Sequence, residues 1–212
     1  MIDSHAHVAA EEFNADRDQI ISGIQNNGLR GWIEIGTNVA ESTQAFALAE
    51  KHVNIYASVG VHPDAIKTIR EEDWETLEQL AANKKVCAIG EVGFDTYRNG
   101  TIAEQEPILR KFISLAQKVH KPIIFHVRSK SAGKTPGVNG ETPGVEEADS
   151  HAELIRVLKD YSDTVRPKGV IHTFSGNLQQ AEEYIALGMM ISFSGVITFK
   201  NAIKSLISSL EY

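Results

Sequence analysis

The sequence predicts an α/β fold, a TIM-type (β/α)8 barrel with its eighth strand missing. Three observations lead there. Seven short β-branched apolar runs follow one another, at residues 2–8, 31–36, 55–62, 86–93, 122–128, 169–174 and 189–193. Helical segments separate them. A histidine or glutamate stands at the C-terminal end of most of the runs. Most runs are near-continuously apolar, the pattern of strands covered on both faces. Strand–helix alternation implies a parallel sheet with right-handed crossovers. Periodicity leaves both a doubly wound sheet and a closed barrel open. The polar residues decide for the barrel, because in that fold all the C-terminal strand ends emerge at the one face where active sites sit.

The helical segments carry their own signals. Between 107 and 120, Ile108, Phe112, Leu115 and Val119 fall on one stripe, and Pro107 is tolerated in a first turn. A second helix is expected to open at Ser150, with Glu153 completing a capping box, and to bury Leu154, Val157, Leu158 and Tyr161. A third, at 178–187, ends at Gly188 as a left-handed cap. The last, at 201–210, carries Ile203, Leu206, Ile207 and Leu210. Residues 129–150 break the rhythm, being rich in Gly, Pro, Thr, Lys and Glu, with Thr-Pro-Gly-Val starting at both Thr135 and Thr142. Structureless loops beyond about 12–15 residues are lids or disordered insertions. This one is expected to be an inserted flexible loop over the active face, within a single domain covering 1–212.

Composition narrows the function. The chain has 212 residues, 42% hydrophobic and 23% charged, which is ordinary for a globular protein. A barrel of this class usually takes about 250. The net charge of −7 argues against a dedicated nucleic-acid-binding module, which shows a basic face. It leaves a nuclease open, since bound divalent ions supply the positive charge at a phosphate site. The lone Cys87 lies in an apolar run and is expected to be a small buried hydrophobe, which fits a reducing cytoplasm. No secretory signal is visible at the N-terminus, and the apolar stretch 188–199 is too short and broken to span a bilayer. A cytoplasmic protein with no membrane association and no stable protein partner is expected.

The chemistry-bearing residues are His5 and His7 on the first run, His62 on the third, Glu91 on the fourth, His126 on the fifth and His172 on the sixth. His5 and His7 are two apart, so strand alternation points both rings to one side, where both can grip one ion. A lone His-x-His is a weak signal; joined to Glu91, His126 and His172 in register, it indicates a metal site. Imidazoles with a carboxylate suit zinc, manganese, iron or nickel. Glu91, deep in an apolar strand, needs a partner. A structural ion pair would serve. With several histidines aimed at the same mouth, a bridge between two metal ions is the better reading. His52, His120 and His151 fall in helices or at their ends and are read as solvent-facing.

Five motifs now carry a specific resemblance. Asp-Ser-His-Ala-His at Asp3, Gly-Val-His-Pro at Gly60, Ile-Gly-Glu-Val-Gly-Phe-Asp at Ile89, Ile-Phe-His-Val-Arg at Ile124 and Val-Ile-His-Thr-Phe-Ser-Gly at Val170 occur in order. Together they resemble the TatD family of metal-dependent deoxyribonucleases, within the amidohydrolase-like barrels, over essentially the whole chain outside 129–150. The resemblance implies two divalent ions (zinc, manganese, magnesium, iron or nickel). His5, His7 and Glu91 would hold one, with Glu91 bridging to a second held by His126 and His172. A bridging water of lowered pKa would attack a DNA phosphodiester. His62 and Arg128 would contact phosphate or the leaving group, and Asp95 and Asp3 would orient ligands.

Two departures stand out. The resemblance implies a further aspartate at the end of an eighth strand, as metal ligand and proton acceptor, yet no aspartate follows Asp163; the later acids are Glu182, Glu183 and Glu211. The chain is therefore expected to be a fragment of a longer reading frame, possessing exposed strand edges and lacking a general base that commonly contributes about 10²–10⁴ in rate. The second departure is the insertion after Arg128, which would overhang the phosphate side of the site. Two alternatives stay open: an amidohydrolase-type C–N or ester hydrolase on the same site, and a catalytically inactive metal-binding barrel fragment. Many amide hydrolases place a modified lysine where Glu91 stands, which favours the TatD-like branch. If DNA is the substrate, few Lys or Arg line the mouth, so affinity should be modest with a shallow salt dependence.

Overall fold

The computed structural model describes residues 1–26, 28–98, 100–130 and 148–198. Among these residues seven strands form one sheet in sequence order, every neighbouring pair parallel: β1 (Ile2–Ala6), β2 (Gly31–Glu34), β3 (Ile55–Val59), β4 (Val86–Asp95), β5 (Ile123–Arg128), β6 (Gly169–His172) and β7 (Met189–Ile191). The crossovers are filled by α1 (Arg17–Asn26), α2 (Val39–Lys51), α3 (Asp73–Ala81), α4 (Ile102–Val119), α5 (Ser150–Lys159) and α6 (Leu178–Ala186). A doubly wound sheet reverses its strand order at a switch point. This sheet never does, so its topology is that of a (β/α) barrel, and each of the seven apolar runs is a strand. The edge strands β1 and β7 leave Ile2 and Met190 exposed, while β4 and β5 are covered on both sides and β3 exposes Tyr56 near its start.

Helix packing follows from periodicity. On α4, Leu109, Phe112, Ile113 and Ala116 are buried at spacings of three and four, and Ile108 and Val119 flank them half-buried. With Trp32, Phe94 and Phe125 they form the main core, each large apolar side chain contributing roughly 1.5–3 kcal/mol.

Two local expectations change. Helix α4 starts a turn before Pro107, because Thr101 and Glu104 form a capping box strong enough to begin it there. Pro107 then lies inside the helix, where it forgoes one backbone hydrogen bond. Helix α5 is capped by Asp149, which accepts from the backbone N–H groups of His151 and Ala152, rather than by a Ser150–Glu153 box. A carboxylate one residue earlier reaches the open N–H groups first. Gly188 does take the left-handed conformation, with φ at 81°.

The helix expected at 201–210 lies outside the described residues, as does 131–147 of the expected loop. The ends of that loop are pinned. Ser129 and Ser150 are buried, the Ser150 N–H donates to Ser129 Oγ at 3.0 Å, and the Ser150 hydroxyl donates to the Arg128 carbonyl at 2.9 Å.

One glycine is indispensable to the sheet near the mouth. Gly93 has φ of 151°, and a Cβ there would lie 2.0 Å from the His126 carbonyl oxygen on β5. Backbone cannot yield as a flexible side chain can. Gly93→Ala should therefore destabilise by at least about 3 kcal/mol, read as a lowered urea midpoint.

Candidate metal centre

The centre is built on the C-terminal strand ends. Pairing of β4 with β5 shifts register between Ile89 and Val92, which re-aims Glu91 at that irregularity, and the Glu91 N–H donates to the Gly36 carbonyl at 3.0 Å. The Glu91 side chain is buried, its residue only 5% exposed. Oε1 lies 2.8 Å from His126 Nδ1 and Oε2 lies 3.5 Å from His5 Nε2. Burial resists ionisation of Glu91, but the hydrogen bonds to His126 and His5 outweigh it and hold the carboxyl well below the usual range.

On one side of Glu91 stand His5, His7 and His172. The Nε2 atoms of His5 and His7 are 3.1 Å apart, and the His5 ring stacks on His172 at 3.4 Å between centroids. Burial, then the neighbouring His5, lowers the pKa of both His7 and His172, the latter to about 4. Neutral imidazoles therefore converge on a carboxylate, with lone pairs for a cation. His5 Nδ1 is a buried nitrogen without a hydrogen-bond partner among the described residues. The residue after His172, Thr173, holds φ at 48°, a strained conformation for a β-branched side chain, and its hydroxyl sits 2.7 Å from His172 Nε2.

On the other side stand His126, Asp95 and His62. His126 Nε2 meets Asp95 Oδ2 at 3.0 Å. Burial disfavours a charged ring there, yet the hydrogen bonds to Asp95 and Glu91 lift its pKa to about 9. Asp95 is 1% exposed, and its carboxyl is held low despite burial by His126 and by backbone N–H donors. The His62 ring packs edge-on against His126 with centroids 4.2 Å apart, and its Nδ1 accepts from the Asp64 N–H at 3.1 Å. Burial and the nearby His126 lower its pKa, so the ring is neutral and, with Nδ1 accepting, carries its proton on Nε2. Arg128 lies with its guanidinium over the Tyr97 ring at 3.8 Å.

Ligand atoms of His5, Glu91 and His172 lie within 4.8 Å of one another, as do those of His62, Asp95 and His126. The donor chemistry and the partnerless His5 nitrogen fit divalent cations. The grouping places His172 beside His5 and Asp95 beside His126, where the resemblance paired His126 with His172. Asp3 accepts from the His5 backbone N–H at 3.0 Å.

Sequence reasoning missed other polar residues here. Glu34 is buried at the end of β2, accepting from the Ala9 N–H at 2.7 Å and from Trp32 Nε1 at 2.8 Å; burial raises its pKa and these donors pull it back. It anchors the segment just beyond the His5–His7 pair. Its signal was a carboxylate alternating with Trp32 in an apolar run. His151 is not solvent-facing but buried, with Nδ1 3.2 Å from the Tyr184 hydroxyl and Nε2 3.3 Å from Ser175 Oγ. His120 is exposed and His52 half-buried.

A parallel β/α barrel sheet whose strand ends gather imidazoles and carboxylates at one mouth defines a metal-dependent hydrolase of the barrel class. The chain belongs to the TatD-related DNase family, whose profile matches residues 2–211. It is similar to YabD of Bacillus subtilis, an uncharacterised metal-dependent hydrolase, at 29% identity over 96% of this chain and 72% of that one. It is similar to the 3'-5' ssDNA/RNA exonuclease TatD of Cronobacter turicensis at 31% identity over 92% of this chain and 66% of the other. The crystal structure of YjjV, a TatD homologue from Escherichia coli, superposes with a TM-score of 0.76 at 28% identity, covering 95% of this chain and 71% of that one. A TatD family hydrolase from Entamoeba histolytica shares the fold, with a TM-score of 0.77 at 21% identity, covering 97% of this chain and 69% of that one. The chain thus spans about two thirds of the length of the Cronobacter relative. Among the described residues no helix is long and apolar enough to cross a membrane.

Proposed function

We propose that this chain hydrolyses phosphodiester bonds of single-stranded DNA with two divalent ions. The observation that carries the reading is that Glu91 touches both halves of the centre, one oxygen toward His126 and the other toward His5. The resemblance gives His172 to the ion of His126, but its ring stacks on His5, so His5, His7, His172 and Glu91 would hold one ion, and Glu91 and His126 the other. The ions would lower the pKa of a water and offset charge on the phosphoryl oxygens. The chain's own residues do the rest. Asp95 grips His126 Nε2, which leaves Nδ1 toward Glu91 and fixes the ring. His62 offers an Nε2–H and Arg128 a guanidinium, both suited to phosphate oxygens. Imidazole-rich donors favour zinc, manganese, iron or nickel, while magnesium, which prefers oxygen ligands, matches least well. Support for single-stranded DNA comes from the activity named for the Cronobacter relative. The single cysteine can form no disulfide within this chain, which fits a reducing cytoplasm.

The test is incubation with a single-stranded DNA oligonucleotide, with and without Mn²⁺, beside a panel of amides. Mn²⁺-dependent cleavage of DNA is expected; turnover of amides without DNA cleavage would replace this reading by C–N hydrolysis.

Ion binding should also carry a pH signature. His126 is charged below about 9 and must lose a proton to become a ligand. Apparent affinity should therefore rise about tenfold per pH unit between 7 and 9, then level off. His7 and His172, already neutral in this range, release nothing. Calorimetry in buffers of different protonation enthalpy counts the proton released.

A further inference from the structure

Tyr97 is a large aromatic side chain that the fold leaves 51% exposed, and no role in holding an ion requires it. It stands just past the end of β4, at the strand-end mouth. One buried carboxylate ties it to the centre. Asp95 Oδ2 meets His126 at 3.0 Å, while Asp95 Oδ1 accepts the backbone N–H groups of Tyr97 at 2.8 Å and of Arg98 at 3.2 Å. Arg98 in turn donates to Asp64 at 3.0 Å, fastening this loop to the one that carries His62.

The ring is backed by Arg128, whose guanidinium carbon lies 3.8 Å from its centroid. Arg128 pairs with Asp95 in the β4–β5 register and lies two residues past His126, on the same side of β5. One face of the ring is therefore held by a cation, and its exposure belongs to the opposite face and edge. Single exposed aromatics are common and need no explanation. This one is braced from behind, fixed through its backbone to the carboxylate that orients His126, and placed at the mouth.

We propose that Tyr97 is a stacking platform for an unpaired nucleobase next to the phosphate at the centre, with Arg128 holding the ring in place. The ligand class is a nucleotide in a single strand, because in a duplex the base faces are covered by neighbouring pairs. The proposal rests on the phosphodiester reading above.

The test uses the full chain with Mn²⁺ and two fluorescein-labelled, cleavage-resistant phosphorothioate strands of equal length, one oligothymidylate and one abasic. Fluorescence anisotropy should show tighter binding of the strand with bases. In Tyr97→Ala, with an unchanged melting temperature, that preference should shrink by about 5- to 150-fold or to near parity, and Tyr97→Trp should restore it. A preference unchanged in Tyr97→Ala, equal binding of both strands by the wild type, or an equal loss for both strands in the variant overturns the stacking role and leaves the phosphodiester reading standing. No binding of either strand by the wild type overturns both.

Discussion

Glu91→Gln is expected to lower Mn²⁺-dependent hydrolysis of a single-stranded oligonucleotide by at least about 10²–10³-fold, no less than the loss of one preorganised electrostatic group. Glutamine keeps the volume of the side chain and removes its charge. Because Glu91 reaches both His126 and His5, one substitution disconnects both halves of the centre. The same variant should bind Mn²⁺ more weakly in a calorimetric titration, a readout independent of turnover. Asp95→Asn offers the comparison. Its Oδ2 meets His126 from the far side of the ring, while Oδ1 accepts the Tyr97 and Arg98 backbone N–H groups, and the substitution should cost about 10–100-fold in ion affinity. A Glu91→Gln protein that cuts like the wild type would show that this carboxylate is an ordinary buried ion-pair partner.

The second large effect concerns stability in acid. His151 is 2% exposed, and burial pushes its pKa down to about 4, with Asp149 opposing and His126 adding to the fall. In the unfolded chain an ordinary histidine titrates near 6.5. Between these values the unfolded state binds a proton that the folded state refuses, so stability rises with pH across the window and is lost on acidification. Above about 6.5 His151 contributes no pH dependence; from there down to about 4 it should remove up to about 3 kcal/mol. His172 shifts in the same direction, so the contribution of His151 is read as a difference. Urea unfolding of wild type and His151→Gln from pH 7 to pH 4 should show the variant losing less stability, and parallel curves would contradict the account.

Much of the fold was legible because strands covered on both faces are written as unbroken apolar runs, and all seven were found where they form. The site was legible where a ligand-type residue ends such a run, as at Glu91, His126 and His172. What escaped were polar residues whose burial depends on a partner distant in sequence. His151 shares a helical face with Leu154, Ile155 and Leu158 at spacings of three, four and seven, so a stricter use of periodicity would have buried it. Its partners Tyr184 and Ser175 come from other elements, and no local pattern reveals them. Asp95 did not escape: it was expected to orient a ligand, it lies four residues beyond Glu91 on the same side by alternation, and the pairing of β4 with β5 brings it to His126. The caps at Thr101 and Asp149 were written in the sequence and were outranked by a proline and a serine nearby.

Electron paramagnetic resonance of the protein titrated with Mn²⁺ tests most directly whether Glu91 joins two ions. At full occupancy the wild type should show the exchange-coupled spectrum of a bridged manganese pair, and Glu91→Gln should show only the hyperfine pattern of isolated Mn²⁺. A wild-type spectrum of isolated Mn²⁺ at saturation would contradict the bridged centre.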